Sequence, residues 1–241
     1  CLPGRACGRL DTSRRVLDAV LVPGQEGAFY EGCLVPLLCE LVAHEGHFVI
    51  HAASVAFDWH GERAGVLLAG VSGAGKTTTA LTLARAGMTL LTDDTSFLAA
   101  PENGPVRLWG WCLPCKVHEN TSRLLPWLRD CPSRPLGTDG ESAVDVAAVL
   151  GDSTGTTVEP RLLLLMEPRR DGDHFLEPMD KREAMIRLTR ENIRAYEHQA
   201  DGAAGRAFRA LGRLVAQCGV YRLHVGEELG TLAERIAGLG R

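Results

Sequence analysis

The stretch LLAGVSGAGKTT, residues 67–78, decides the fold because it has the form of a phosphate-binding loop set between a strand and a helix. Gly70, Gly75, Lys76 and Thr77 satisfy the spacing Gly-x-x-x-x-Gly-Lys-Ser/Thr in full. The glycines let the backbone wind tightly, so that successive N–H groups and the N-terminus of the next helix face an anion. Lys76 would neutralise the β- and γ-phosphates, and the Thr77 hydroxyl would hold Mg²⁺.

The sequence on both sides of this loop supports the interpretation. Residues 64–69 form an apolar run typical of a buried strand, and residues 78–86 have helical spacing that ends at Gly87, a good C-cap. The chain has only three lysines against 23 arginines, so a lysine inside the loop stands out from the general use of arginine for positive charge. These features together predict a nucleotide-binding α/β protein.

Composition narrows the class of protein further. With 241 residues and 45% hydrophobic composition, the chain can bury a proper core and suits one α/β domain with extensions. The net charge of −4 and the lack of a basic run argue against a nucleic-acid partner. The sequence contains no run of 18 apolar residues, so we expect no membrane span and a cytoplasmic enzyme.

The eight cysteines are scattered, and a protein that uses ATP normally works where thiols stay reduced, so we expect ordinary thiols. Cys112 and Cys115, followed by His118, could instead form part of a zinc or redox site. A structural zinc would need a fourth ligand such as Cys131, and the sequence has no second Cys-x-x-Cys pair.

The hydrophobic pattern predicts alternating strands and helices along the chain. Residues 1–30 are expected to form short strands or an extended arm. Strand 48–57 and the strand that feeds the loop are joined by a turn at 58–62, which predicts a hairpin. The other elements expected before residue 112 are a helix at 31–44, a strand at 88–92, an extended segment at 95–98, a turn at 101–105 and a strand at 106–111.

The second half is predicted to begin with an irregular region and to end in regular α/β structure. Residues 112–160 are rich in Pro, Gly and Ser, with possible short helices near 122–128 and 143–150. Residues 161–166 form a continuous apolar run that predicts a central buried strand. The elements expected after it are helices at 180–198 and 204–217, a strand at 219–225 and a helix at 227–238.

A second group of residues points to what is done with the phosphate. Asp93 and Asp94 end the strand that follows the loop helix. If this strand neighbours the loop strand, both carboxylates lie at the carboxyl edge of the sheet, where open α/β sheets bind ligands. His51 lies inside an apolar strand; a lone histidine there is more often a core residue than a catalytic one.

The ordered set IHAASVAFDWHGERAGVLLAGVSGAGKTTTALTLARAGMTLLTDDTSFL, residues 50–98, resembles the core of the HPr kinase/phosphorylase family. His51, the loop and Asp93-Asp94 carry the resemblance. It implies a P-loop kinase core of the HPr kinase C-terminal or phosphoenolpyruvate carboxykinase type, with a mixed sheet and flanking helices. The whole chain, 1–241, would be one such domain. Its expected parts are N-terminal strands and a helix (1–47), a nucleotide-binding core (48–98), a substrate or capping region (99–160) and C-terminal strands and helices (161–241).

The resemblance also implies roles for individual residues. Asp93 would be the base that accepts the hydroxyl proton, and Asp94 with Thr77 would hold Mg²⁺, although the two aspartates could exchange roles. His51 would orient an aspartate or contact the γ-phosphate, and Lys76 would act on the phosphates. The nucleotide, ATP or another NTP, would be bound by Gly70, Ser72, Gly73, Ala74, Gly75, Lys76, Thr77 and Thr78.

This chain departs from the bacterial HPr kinases in two respects. Only about 50 residues precede His51, where those enzymes carry an additional domain, and their later Glu-Ile-Arg-Gly-x-Gly signature is absent. Compact relatives include kinases that phosphorylate the C-terminal serine of lasso-peptide precursors, and they fit the length better. In such forms the segment after Asp94 should contact substrate, through the candidates Lys116, Arg107, His118 and Glu119; the alternative for these four is a solvated loop.

We therefore expect an ATP-dependent serine kinase that acts on a peptide or small protein. A kinase of a small-molecule alcohol and a non-catalytic nucleotide-binding protein are the alternatives. By resemblance, a symmetric homo-oligomer is also expected.

Overall fold

The computed structural model describes residues 2–25, 29, 33–111, 114–136, 140–151, 156–168, 171–192 and 203–239. Contacts divide the chain into two units, Cys1–Val49 and Ile50–Arg241. The expectation of one domain over the whole chain stays a prediction.

The first unit contains an antiparallel hairpin and a helix. Strands β1 (Ala6–Asp11) and β2 (Val16–Leu21) pair in register from Ala6↔Leu21 to Asp11↔Val16, as the expectation of short strands requires. Helix α1 (Val35–His44) falls within the predicted helix 31–44, of which residues 31–32 lie outside the described part. The Arg15 guanidinium donates to both oxygens of Glu45, at 2.9 and 2.8 Å, and so ties the hairpin to the end of α1.

A long hairpin forms the middle of the central sheet. Strands β3 (His47–Trp59) and β4 (Glu62–Ala69) are antiparallel, from Ala52↔Ala69 to Trp59↔Glu62. His60 and Gly61 make the turn with positive φ angles of 55° and 84°, the backbone of a type I′ turn, whose twist matches that of the strands. The predicted hairpin is confirmed.

The elements after the loop extend this sheet on the β3 side. Helix α2 (Lys76–Arg85) is followed by β5 (Thr89–Thr92), β6 (Thr95–Ala99) and β7 (Arg107–Gly110). Strand β5 pairs with β3 and not with β4, so the condition that it neighbours the loop strand is not met. Both β4 and β5 are antiparallel to β3 and therefore run in the same direction, so their carboxyl ends still reach the same edge of the sheet.

The region predicted to be irregular contains a second, smaller sheet. Its strands β8 (Cys115–His118), β9 (Ser133–Leu136) and β10 (Glu141–Val144) are antiparallel in the order β8-β10-β9. Helix α3 (Glu119–Leu124), a 3₁₀ turn (Pro126–Asp130) and helix α4 (Ala147–Leu150) complete the region. The prediction of irregular structure was wrong here, because four-residue strands with mixed polarity are too short to show a period of two.

The C-terminal part completes a mixed sheet with the order β12-β13-β11-β4-β3-β6-β7. The predicted central strand is confirmed as β11, which is parallel to both β4 and β13. The predicted helix at 180–198 is described as far as residue 192, and residues 193–198 lie outside the described part. The elements are β11 (Thr157–Glu167), β12 (Phe175–Pro178), α5 (Lys181–Asn192), α6 (Ala203–Gln217), β13 (Gly219–His224), a 3₁₀ turn (Leu229–Thr231) and α7 (Leu232–Gly238).

Helices cover both faces of this sheet. On one face, Val55 and Leu68 are buried in a cluster with residues of α2 and α7. On the other, Leu163 and Leu165 are buried, and α6 contacts β11. The fold is thus mixed α/β with flanking helices, as expected. None of the helices in the described part is long and apolar enough to cross a membrane.

Candidate functional site

Three strand ends meet at one edge of the central sheet. His51 lies near the start of β3, the loop follows Ala69 at the end of β4, and Asp93 follows Thr92 at the end of β5. Because Ala52 pairs with Ala69, the antiparallel hairpin returns the start of β3 to the edge where the loop begins. The topology therefore brings together three groups that are up to 43 residues apart in the sequence.

Glycines shape the loop. Gly73 and Gly75 have φ angles of 81° and 92°, in the left-handed region that favours glycine, and Gly75 is the N-cap of α2. A Cβ at Gly70 would lie 3.0 Å from Cβ of Met166 and 3.1 Å from the Met166 carbonyl oxygen. These positions give the tight backbone that a phosphate-binding loop requires.

Lys76 is folded back onto the loop. Its side chain is buried, and Nζ donates to the carbonyl oxygens of Gly70, at 2.7 Å, and Val71, at 3.2 Å. Burial lowers the pKa of the ammonium group, and the charges of Asp94 and Glu191 oppose this effect. Within the described residues, the hydrogen-bond partners of this ammonium group are two neutral carbonyls, so it is well placed to bind an anion.

Asp93 is a buried acid with few compensating contacts. It is 8% exposed, and Oδ2 accepts a hydrogen bond from the Lys116 backbone N–H at 3.0 Å. Burial, followed by the charge of Asp94, raises the pKa of Asp93 to about 7. The Thr77 hydroxyl lies 3.5 Å from the Asp93 carbonyl oxygen, so the first turn of α2 is next to this acid.

The surroundings of Asp94 lower its pKa, whereas those of Asp93 raise the pKa of that residue. Nδ1 of His51 lies 3.2 Å from Asp94 Oδ1, and the Thr95 hydroxyl donates to Oδ2 at 3.3 Å. Burial alone would raise the pKa of Asp94, but the hydrogen bond and charge of His51, followed by the charge of Lys76, leave it below its usual value. Adjacent carboxyls with pKa values displaced in opposite directions are suited to separate roles as base and as metal ligand.

These groups line a cleft of about 590 Å³ together with loop residues 72–79. The loop residues include Ser72, which is exposed, and Thr78, whose hydroxyl shares a 2.8 Å hydrogen bond with that of Thr121. The whole predicted nucleotide-binding set thus lies at or within this cleft, apart from Gly70, which supports the loop from behind.

The opposite wall of the cleft comes from the small sheet. Lys116 and His118, one strand period apart on β8, both contact Glu141 on β10. Lys116 Nζ lies 2.9 Å from Glu141 Oε2, and His118 Nε2 lies 2.9 Å from Oε1. The two substrate candidates Lys116 and His118 are therefore in the cleft.

The other two substrate candidates are not among the residues that line it. Arg107 pairs with Ala99 at the far end of β6, about 13 Å along the strand from Thr95, and lines a separate pocket with Trp59 and Arg161. Glu119 begins α3, where its carboxylate binds Arg123 one turn later and is mostly exposed. A position in the segment after Asp94 was therefore not sufficient for either residue, because β7 places Arg107 away from the cleft and Glu119 binds Arg123 on α3.

Sequence reasoning missed two contributors to the site. Glu141 gave no signal, because it joins Lys116 only through pairing of two short strands. Asn192 was too isolated in the sequence to interpret, yet its side chain bonds the backbone of His51, 141 residues away.

Cysteines contribute no recognisable metal centre within the described residues, where no group of three or more His, Cys, Asp or Glu could hold a metal ion. Cys33, Cys39, Cys115, Cys131 and Cys218 are free thiols, as expected, whereas Cys7 is in a disulfide. Cys112, part of the alternative zinc or redox site, lies outside the described residues.

Comparison with known proteins gives limited information. No protein-family model and no curated protein matches the sequence. Among solved structures, the HPr(Ser) kinase/phosphatase from Coxiella burnetii is similar over 79% of this chain and 92% of that chain, with 14% sequence identity and a TM-score of 0.35. A likeness this distant leaves the chemistry to be argued from the residues of the cleft.

Proposed function

We propose that this protein transfers the γ-phosphoryl group of ATP to a serine hydroxyl of a peptide or small protein. The observation that carries the proposal is the position of Asp93, a buried carboxyl whose pKa is raised to about 7, at the edge of the sheet where the phosphate-binding loop begins. A protein that only bound nucleotide would not need a base there.

The donor side of the site is formed by the loop and α2. Backbone N–H groups at the start of the helix, with the positive end of its dipole, favour a polyphosphate. Lys76 Nζ already lies at the loop, where it donates to the carbonyl oxygens of Gly70 and Val71. On nucleotide binding, it would donate to phosphate oxygens instead. The exposed Ser72 hydroxyl would add a hydrogen bond.

Thr77 and Asp94 fit a magnesium ion. Mg²⁺ prefers hard oxygen ligands and is commonly held by one or two protein groups, with phosphate oxygens and waters completing the shell. The Thr77 hydroxyl and the ionised Asp94 carboxylate supply such oxygens beside the loop. The bound ion would neutralise charge on the β- and γ-phosphates.

The transfer step then assigns a role to each acid. The serine oxygen attacks the γ-phosphorus, its proton passes to a carboxylate oxygen of Asp93, and the bond between γ-phosphorus and the bridging oxygen breaks to release ADP. A base with a pKa near 7 is ionised in a useful fraction at neutral pH and still holds the proton it receives. His51, whose Nδ1 lies 3.2 Å from Asp94 Oδ1, would orient this carboxylate.

The acceptor would lie against the wall formed by Lys116, His118 and Glu141. The Lys116 backbone binds Asp93 while its side chain reaches Glu141, so a hydroxyl held near Asp93 lies next to this polar wall. A C-terminal serine, as in a lasso-type precursor peptide, is the acceptor we would test first.

The experiment measures phosphotransfer directly. Purified protein with ATP and Mg²⁺ is expected to add about 80 mass units to a serine-containing peptide encoded nearby, and Asp93→Asn should reduce the rate by roughly 10²- to 10⁴-fold. Asp94→Asn should lower activity and raise the Mg²⁺ concentration required. Full activity in both variants would refute the mechanism.

The same assay separates the alternative functions. Transfer to a free amino acid or sugar, with no transfer to peptides, would identify a kinase of a small-molecule alcohol. Tight ATP binding without transfer to either class would identify a non-catalytic nucleotide-binding protein.

A further inference from the structure

Asn192, the last residue of α5, connects this helix to the strand that carries His51. The side chain is buried, with 4% of its surface exposed. Its Oδ1 accepts a hydrogen bond from the His51 backbone N–H at 2.7 Å, and its Nδ2 donates to the Leu188 carbonyl oxygen at 2.9 Å. Both ends of the amide are thus used, one on the helix and one on the strand.

Asn192 binds β3 at a residue that is not paired with β4. Pairing of β3 with β4 begins at Ala52, so His51 lies one residue beyond that ladder. The His51 N–H is only partly accessible to solvent, and Asn192 provides its hydrogen-bond partner. The side chain therefore fixes the backbone from which the His51 imidazole reaches Asp94.

An ion-pair network fixes α5 itself near the loop strand. Arg187 Nη1 lies 2.5 Å from Glu167 Oε1, and Nη2 lies 2.9 Å from Glu183 Oε1. Glu167 ends β11, which pairs with β4, and Arg222 of β13 contacts both glutamates. The first and second turns of α5 are therefore attached to β11 and β13 of the central sheet.

We propose that Asn192 on α5 positions the phosphotransfer site by fixing the backbone of His51. This inference rests on the proposed function. Asn192 is not among the residues that line the cleft, so it acts through His51, which does line it.

A double-mutant cycle tests Asn192. We expect Asn192→Ala to lower kcat roughly 10- to 100-fold while KM for ATP changes by less than about twofold, and Asn192→Asp, which keeps an acceptor for the His51 N–H, to recover part of the loss. In a His51→Ala background, Asn192→Ala should cause little further loss. Equal fold losses in both backgrounds would overturn the role through His51.

Amide hydrogen exchange separates this inference from the proposed function. The His51 N–H should be protected in the wild-type protein and exchange faster in Asn192→Ala, whether or not an acceptor substrate is known. A protected amide in a protein that transfers no phosphate would refute only the proposed function. Unchanged exchange in the variant would refute the Asn192 contact.

Discussion

The two walls of the cleft are built in different ways. One wall, the loop wall, is formed by residues 72–79, which are continuous in sequence. It would act mainly through backbone N–H groups and Lys76. The other wall, the acceptor wall, is formed by the side chains of Lys116, His118 and Glu141. They lie on two short strands, β8 and β10, which meet only in the folded protein. If the proposed function is correct, donor binding should depend on local backbone shape, whereas acceptor binding should depend on which side chains the small sheet presents.

Exposure separates the two walls as well. Lys76 and Asp93 are buried, at 6% and 8% exposed, so their charges act in a medium of low effective dielectric. The side chains of Lys116 and His118 are 52% and 64% exposed, so solvent screens their contacts with Glu141. Substitutions in the loop wall should therefore have larger effects than substitutions in the acceptor wall.

The largest effect is expected for Lys76→Ala. Loss of the only lysine in the loop should reduce phosphotransfer by roughly 10³-fold, because no other side chain of the loop carries positive charge to the phosphates. Lys181→Ala is the matched control: its Nζ donates to the Ala216 carbonyl oxygen outside the cleft, so activity should be unchanged. Equal kcat/KM values for the two variants would contradict the division between walls.

The pH dependence should follow Asp93. With its pKa raised to about 7, Asp93 is protonated below that pH and cannot accept the hydroxyl proton, so kcat/KM should fall about tenfold per pH unit on the acid side. Initial rates between pH 5 and pH 9 test this. An acid limb near pH 4 would assign the base to another group.

The same pKa predicts how stability changes with pH. The folded-state pKa lies above the ordinary value of 3.8, so the folded protein holds this proton more tightly and loses stability as pH rises through about 7. In protein free of nucleotide and metal, Asp93→Asn should therefore be more stable than wild type at pH 8, by up to about 4 kcal/mol, with the difference shrinking towards pH 4. Thermal unfolding at both pH values provides the test.

A moderate effect is expected for Glu141→Gln in the acceptor wall. Removing the charge that Lys116 and His118 share should change KM for the acceptor about tenfold, with KM for ATP nearly unaffected. Glu119→Gln is the control, since that carboxylate binds Arg123 and does not line the cleft. A change in KM for ATP would mean that the two walls are not independent.

The smallest effect is expected for Arg107→Ala. Arg107 lines a different pocket, so kcat and both KM values should stay within about twofold of wild type. Lys116→Ala in the same assay should raise KM for the acceptor. A large loss of activity in Arg107→Ala would mean that the acceptor also contacts residues outside the cleft and that the acceptor wall has been assigned incorrectly.

Sequence reasoning succeeded where the signal is local. The loop, the β3–β4 hairpin and β11 were predictable because glycine spacing, turn position and an apolar run each lie within about a dozen residues. The small sheet was missed, because its four-residue strands carry too little pattern to distinguish them from loops. Arg107 and Glu119 were misplaced for a related reason: a position in the segment after Asp94 does not specify strand direction or helix face.

By itself, the sequence determined the phosphate-binding loop, since Gly70, Gly75, Lys76 and Thr77 specify a backbone shape that requires little help from the rest of the chain. Only the tertiary structure decided which side chains, such as His51, Asp93 and Asp94, lie in the cleft with that loop. The insertion of β3 between β4 and β5 brings His51 to Asp94. Burial raises the pKa of Asp93, whereas the hydrogen bond and charge of His51, with the charge of Lys76, outweigh burial and lower the pKa of Asp94. Strand order and desolvation depend on contacts between distant residues, which no local pattern records.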